Sequence, residues 1–240
     1  MSKFAMIIAK TSKYMARFYS MKKKDEDDDK TADPFGVLRQ SVQKKVCERQ
    51  KPTVNIHDMA KVYEFLANGF EDIEALGPVD ILRRGGVEVK TVSISGSLEV
   101  ESAHGVRVKA DILFGDADFG DADMLLIPGG MPGAKNIDEH EGVRSAVTRH
   151  AEAGKLLGAI CAGPMVLGHL GLLRGRRATC YPGFEGELAG AEYTAEPFTV
   201  DGNVITGKGP GATFAYAYRI LEMFKGASVV EELKHGMMYQ

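Results

Sequence analysis

The sequence has no tryptophan and only three cysteines, Cys47, Cys161 and Cys180, spread over 240 residues. None of them forms a CxxC pair or a zinc-like spacing, which rules out a disulfide scaffold or a structural zinc site as the basis of the fold. A sparse, odd set of thiols suits a reducing compartment, so the cytoplasm is the expected location. The histidines His57, His140, His150, His169 and His235 also lack ligand spacing, and no metal is expected. No run of about 18 apolar residues occurs, so no membrane span is expected. Neither sign of charge is in large excess: the net charge is -3, which argues against a nucleic-acid partner. What is plentiful is glycine, 28 residues, often paired at the ends of apolar runs as in folds with tight strand-to-helix turns.

Charge divides the chain. Residues 1–58 carry 13 Lys/Arg against 8 Asp/Glu, whereas residues 59–240 carry 17 against 25. The first part holds Lys22-Lys23-Lys24 followed by Asp25-Glu26-Asp27-Asp28-Asp29, like-charge blocks that cannot enter a core. It is read as a disordered N-terminal extension, and residues 59–240 as one domain. Residues 1–20 are basic and free of acids, so an organelle-targeting peptide competes with a plain tail. The tail is preferred, because Met59 directly precedes the first clear strand.

From there strands and helices alternate. Residues 61–67 read as a strand and 71–84 as a helix, with acids at its start, Arg83-Arg84 at its end and a kink expected at Pro78. A strand at 87–92 and a hairpin across 98–110 follow. Buried strands are expected at 123–127 and 156–160; a helix follows the first at 141–153, and the second runs at once into Cys161-Ala162-Gly163-Pro164 and a helix through about Leu170. Further strands are expected at 176–180, 193–200 and 203–207, then helices at 211–225 and 227–235. Apolar strands alternating with helices imply an α/β fold, a mostly parallel central sheet flanked by helices. Ligands in such sheets sit beyond the carboxyl ends of the strands.

Three strand ends carry unusual residues. Cys161 falls between the strand LLGAI and a helix opened by Ala162-Gly163-Pro164, as a nucleophile does on a sharp turn. The helix N-terminus behind it is expected to favour thiolate, moving the pKa into the range of about 3.5–7.5. The competing reading is a packed core cysteine. Gly129-Gly130 offers backbone N–H groups to an oxyanion, or simply makes a tight turn. Glu74, in the first turn of its helix, either reaches the cysteine or only complements the helix dipole.

The runs Ala67-Asn68-Gly69-Phe70-Glu71-Asp72-Ile73-Glu74, Pro78-Val79-Asp80, Leu125-Leu126-Ile127-Pro128-Gly129-Gly130, Ala159-Ile160-Cys161-Ala162-Gly163-Pro164 and Gly207-Lys208-Gly209-Pro210-Gly211 occur in order. In this the chain resembles the ThiJ/PfpI superfamily over residues 60–235, most of all the branch containing the Parkinson-disease-associated deglycase. The resemblance implies a flavodoxin-like three-layer sandwich that homodimerises. It implies that Cys161 is the nucleophile, that Glu74 shares a proton with it, and that Gly130 and Ala162 are the backbone donors beside the sulfur. It implies glyoxalase or deglycase activity on small reactive aldehydes or glycated substrates, without a cofactor; redox-responsive chaperones and proteases also occur in the superfamily.

The sequence departs from the pattern in three places. Ala162 follows the cysteine where the protease branch has histidine, so peptidase chemistry lacks its base. Tyr181 stands where the deglycase branch has a nearby histidine; with a pKa near about 10 it is a poor base but a usable donor. His104 replaces an arginine expected in the hairpin, and reads either as an accessory acid–base group or as an exposed turn residue. Cys180 reads as a redox partner of Cys161 or as a packed small hydrophobe. The leading expectation is a cysteine-dependent glyoxalase or deglycase. The alternative is a non-catalytic redox-sensing holdase that uses oxidation of Cys161, and a cysteine peptidase comes last.

Overall fold

The computed structural model describes residues 60–239, so the expected N-terminal extension and Cys47 lie outside the described residues. The first strand, β1 (Lys61–Leu66), is built of branched and aromatic residues, and is buried along almost its whole length. The following helix, α1 (Asp72–Arg84), starts at Glu71, whose carboxylate accepts the backbone N–H of Glu74 at 2.8 Å. Asp72 and Glu74 occupy its first turn and Arg83 and Arg84 its last, matching the dipole. The helix runs through Pro78, which has no N–H to give to the carbonyl of Glu74 four residues before it.

Next come β2 (Glu88–Ser93), the hairpin β3 (Glu99–Glu101) and β4 (Arg107–Lys109), and β5 (Ile112–Leu113). Then β6 (Met124–Ile127) leads to α2 (Gly133–Glu139) and α3 (Glu141–Glu152), and β7 (Leu156–Ile160) leads to α4 (Pro164–His169). The remainder is β8 (Arg177–Ala178), β9 (Glu192–Tyr193), β10 (Phe198–Asp201), β11 (Val204–Gly207), α5 (Thr213–Lys225) and α6 (Ala227–Gly236). Seven strands form one sheet in the order β10-β11-β7-β6-β1-β2-β5, and every neighbouring pair is parallel except β10 with β11.

Strand alternation sorts the core into two layers. Tyr63, Phe65, Leu125 and Leu157 face the side covered by Val143 and Val147 of α3 and Val166 and Leu167 of α4. Val62, Leu126 and Ile205 face the other side, under Val79, Ile81 and Leu82 of α1 and Tyr216, Ile220 and Leu221 of α5. The chain leaves β1 toward one face and β6 toward the other. A crevice therefore opens at the carboxyl ends of these neighbouring strands, the usual place for a ligand in a doubly wound sheet.

Some elements differ from the expected ones. The strand expected over 193–200 is two strands: β9 pairs in parallel with β8 in a separate two-stranded sheet, while β10 pairs with β11. The break lies at Ala195, in left-handed conformation (φ 57°), just before Pro197, which has no N–H for a ladder. The helix α2 is unexpected because its seven residues, GAKNIDE, are too few to show a period.

Candidate active site

Three loops meet at the crevice. The loop after β6 is tied to the loop after β1 by the N–H of Glu71 on the carbonyl of Gly129 (3.0 Å) and the N–H of Gly133 on that of Gly69 (3.1 Å). Gly130 has φ 85°, and a side chain there would run into the backbone of residues 69–71, so only glycine serves. The hairpin is sewn to the first loop by Gly69 N–H on Glu101 carbonyl and Ala103 N–H on Phe70 carbonyl, each 2.8 Å.

Cys161 ends β7 with φ 62°, a left-handed conformation worth about 1–3 kcal/mol of strain in a non-glycine residue. It is pinned on both sides: its N–H donates to Gly207 (2.9 Å) and its carbonyl accepts from Tyr181 N–H (2.9 Å). The side chain is buried, with the N–H groups of Gly130 and Ala162 directed at the sulfur and favouring its anionic form. Gly129 leaves the space in which Glu74 and Cys161 meet. A methyl there would stand 2.6 Å from Cys161 Cβ and overlap Glu74 Oε2.

Glu74 is fully buried, and neither carboxyl oxygen has a donor in good hydrogen-bond geometry among the described residues. Burial pushes its pKa up to about 7, and the nearby charge of Glu71 adds to this. The Cys161 thiol and the Gly129 N–H face the carboxyl and pull in the opposite direction. The expected lowering of the Cys161 pKa is reversed. Burial, then the charge of Glu74, push the thiol well above its ordinary range, and the two N–H groups offset only part of that. The main reason is loss of solvent, and the second is that two anions disfavour each other in one buried pocket. The thiol ionises more easily while Glu74 holds a proton, so the two groups titrate as a coupled pair.

The other expected residues lie around this pair. His104, on the hairpin tip, bonds Asp72 through Nδ1 at 2.6 Å, and that carboxylate raises its pKa; the side chain is largely exposed. Tyr181 is exposed at the rim, its ring 3.2 Å from where a side chain on Gly209 would begin. Cys180 packs in the core under α3 and α4, away from the layer that contains Cys161; both are free thiols, and burial pushes the Cys180 pKa up to about 11. Glu71, Asp72 and His104 bring potential ligand atoms within 4.8 Å of one another, but Glu71 already caps α1 and Asp72 is paired with His104. The role of Glu71 in raising the Glu74 pKa was not legible in the sequence, where it reads only as a helix-start acid.

The DJ-1/PfpI family profile matches residues 60–223. The Parkinson disease protein 7 homolog of Danio rerio is 36% identical over 173 residues, covering 70% of this chain and 92% of its own length. Deglycase PH1704 of Pyrococcus horikoshii is 32% identical, over 69% of this chain and 99% of its own. Glutathione-independent glyoxalase DJR-1.2 of Caenorhabditis elegans is 33% identical, over 68% and 87%. The oxidized form of Toxoplasma gondii DJ-1 superposes with a TM-score of 0.72 at 32% identity, over 75% of this chain and 98% of its own. The chain spans only 40% and 44% of the length of the two Arabidopsis thaliana DJ-1 homologs that it matches.

Proposed function

We propose that this chain, which belongs to the DJ-1/PfpI family, is a cysteine-dependent glyoxalase or deglycase that acts on α-oxoaldehydes or their adducts without a cofactor. The observation that carries the reading is the strained Cys161 at the strand end, with two backbone N–H groups at its sulfur and a buried carboxyl beside it whose pKa burial pushes up. With Glu74 protonated, the thiolate of Cys161 adds to the aldehyde carbon. The resulting oxyanion is held by Gly130 and Ala162 and takes the proton from Glu74, giving a hemithioacetal and the Glu74 carboxylate. Glu74, as carboxylate, then takes the proton from the hemithioacetal carbon and returns one to the neighbouring carbonyl carbon, leaving a 2-hydroxyacyl thioester. Water cleaves that thioester, so one α-oxoaldehyde and one water become one 2-hydroxy acid and the thiol is regenerated. His104 and Tyr181 are assigned only accessory roles at the rim, in binding the polar end of a substrate. Consumption of methylglyoxal with formation of lactate tests the reading; Cys161→Ser should abolish it, and turnover that survives this change would refute it.

A second reading is a redox sensor or holdase in which peroxide oxidises Cys161. Two equivalents of peroxide convert the thiolate to a sulfinate and leave two waters. It is supported by the same N–H pair, which suits sulfinate oxygens, and by Tyr181 in place of a stronger base. A peptidase has the least support, because Ala162 follows the cysteine, and His104, His140 and His169 are engaged elsewhere. The proposed assembly is a homodimer, favoured by the exposed apolar side chains Ile73 and Leu76 of α1 and Phe214 of α5. Light scattering of the purified chain decides it. No described helix is long and apolar enough to cross a membrane, and a cytoplasmic location is part of the proposal.

A further inference from the structure

The layer between the sheet and helices α1 and α5 is mostly apolar but holds several buried polar side chains. Glu64, in the middle of β1, is 1% exposed, and its Oε2 has no partner among the described residues. Its register neighbours are Thr91 on one side and Leu126 on the other. Tyr216 of α5 is 1% exposed, and its hydroxyl is likewise unpartnered. That hydroxyl sits over Gly158, where a Cβ would come within 2.5 Å of it, and the ring lies 3.1 Å from where a side chain on Gly207 would begin. Gly158, Leu126 and Glu64 lie in register across β7, β6 and β1, so the hydroxyl and Glu64 share one level of the sheet. One helical turn nearer the site, Thr213 is fully buried with an unpartnered Oγ1, and its methyl packs against Gly77, one turn beyond Glu74. Both Glu64 and Glu74 act electrostatically on the Tyr216 hydroxyl.

Among the described residues, three oxygens of Glu64, Thr213 and Tyr216 in this layer are buried without a partner, and the Glu74 carboxyl beside them has only the Cys161 thiol and Gly129 N–H near it, neither in good hydrogen-bond geometry. Buried polar groups without partners are rare in folded proteins, and clusters of them are bridged by internal water. Burial pushes the Glu64 pKa well above its ordinary value, which favours its protonated, donating form, and Tyr216 both accepts and donates. The groups that face Glu74 are Cys161, Glu71 and Tyr216; those that act on Glu64 and Tyr216 are Arg83 and the two carboxyls themselves.

We propose that Glu64 and Tyr216 are positioning residues that, through internal water and Thr213, carry hydrogen bonding from the centre of the sheet to the Glu74 carboxyl and thereby set how tightly Glu74 holds its proton. The proposal rests on the pairing of Glu74 with Cys161. Tyr216→Phe removes the hydroxyl from that chain and so weakens the hydrogen bonding that reaches the Glu74 carboxylate. The state in which Glu74 is ionised and the thiol protonated then becomes less favourable, while the state with protonated Glu74 and thiolate is unaffected.

The test is the pH profile of Cys161 alkylation by iodoacetamide in the full chain, read by mass spectrometry, which needs no turnover. Glu74→Gln identifies the step that belongs to Glu74. Tyr216→Phe should move that step upward by about one pH unit, the tenfold expected for a hydrogen bond to a charged group. It should raise the rate above the step and leave the acid limb unchanged, because there Glu74 is protonated throughout. Glu64→Leu, an apolar replacement of similar volume, should move the step in the same direction, and Glu64→Gln, which keeps a donor, should move it less. A merely structural loosening would change the rate by one factor at all pH values, and that result overturns the proposal. So does a Tyr216→Phe profile that coincides with wild type or, if that variant does not fold, a Glu64→Leu profile that does. A step that survives Glu74→Gln overturns the Glu74–Cys161 pair itself, whereas loss of methylglyoxal turnover with the shifts intact refutes only the enzymatic reading.

Discussion

Glu74→Gln should make the protein more stable at alkaline pH while removing its activity. The carboxyl is fully buried, and its pKa is raised from 4.5 to about 7, chiefly by loss of solvent. The unfolded chain gives up this proton near pH 4.5 and the folded chain only near 7, so the unfolded state gains on the folded one as pH rises through that interval. At about 1.4 kcal/mol per pH unit, ionised Glu74 destabilises the fold by up to about 3 kcal/mol once the pH is above 7. Glutamine has no proton to lose and is free of this term. Urea denaturation of wild type and Glu74→Gln at pH values on either side of the interval checks it. The difference between the two proteins should move in favour of glutamine by up to about 3 kcal/mol from the acid to the alkaline side, or about 6–12 °C in midpoint for a domain of this size. Turnover should be lost in the variant while Cys161 still reacts with iodoacetamide. A stability difference that is the same at both pH values would show that Glu74 titrates normally, and the account of the buried pair would fall with it.

Other outcomes follow from the same geometry. Burial raises both thiols, so access ranks them: iodoacetamide should modify Cys161, which opens to the crevice at the strand ends with two backbone N–H groups at its sulfur, before Cys180, which is fully enclosed in the core; peptide mapping that finds Cys180 labelled first refutes the assignment. Gly129→Ala should abolish methylglyoxal turnover and cost about 1–3 kcal/mol of stability, since its methyl overlaps the contact between Glu74 and Cys161; retained turnover argues that the two need not meet. His169 is bonded at 2.8 Å to both Asp138 and Glu187, which raise its pKa, so its contribution is present below about pH 6.5, the ordinary value, and fades as pH rises through the raised folded value. With the ring about one-third exposed, His169→Ala should cost no more than about 1 kcal/mol, and only on the acid side; a loss that grows with pH would contradict the sign.

Much of the molecule is written in local pattern. Apolar strands and acid-led helices follow from period and punctuation, and the parallel sheet follows from their alternation. The position of Cys161 at a strand end needs only five apolar residues before it and Ala-Gly-Pro after it. Where pattern is short it fails: α2 has seven residues, and β8 and β9 have two each, supported by tertiary pairing and not by propensity.

Chemical state is a different matter. A helix start behind Cys161 argues for thiolate, yet the folded chain puts Glu74, 87 positions earlier, against the same sulfur, and burial with that neighbour wins. The acid in KVYEFL looks like an ordinary interruption of a strand, and nothing in its neighbours shows that it lies buried beneath Tyr216. Local sequence determined which residues form strands, helices and turns, because those choices depend on contacts a few residues apart. Only the tertiary structure decided which groups share a pocket without water, and that sets where a proton rests, because desolvation and charge act through space and not along the chain.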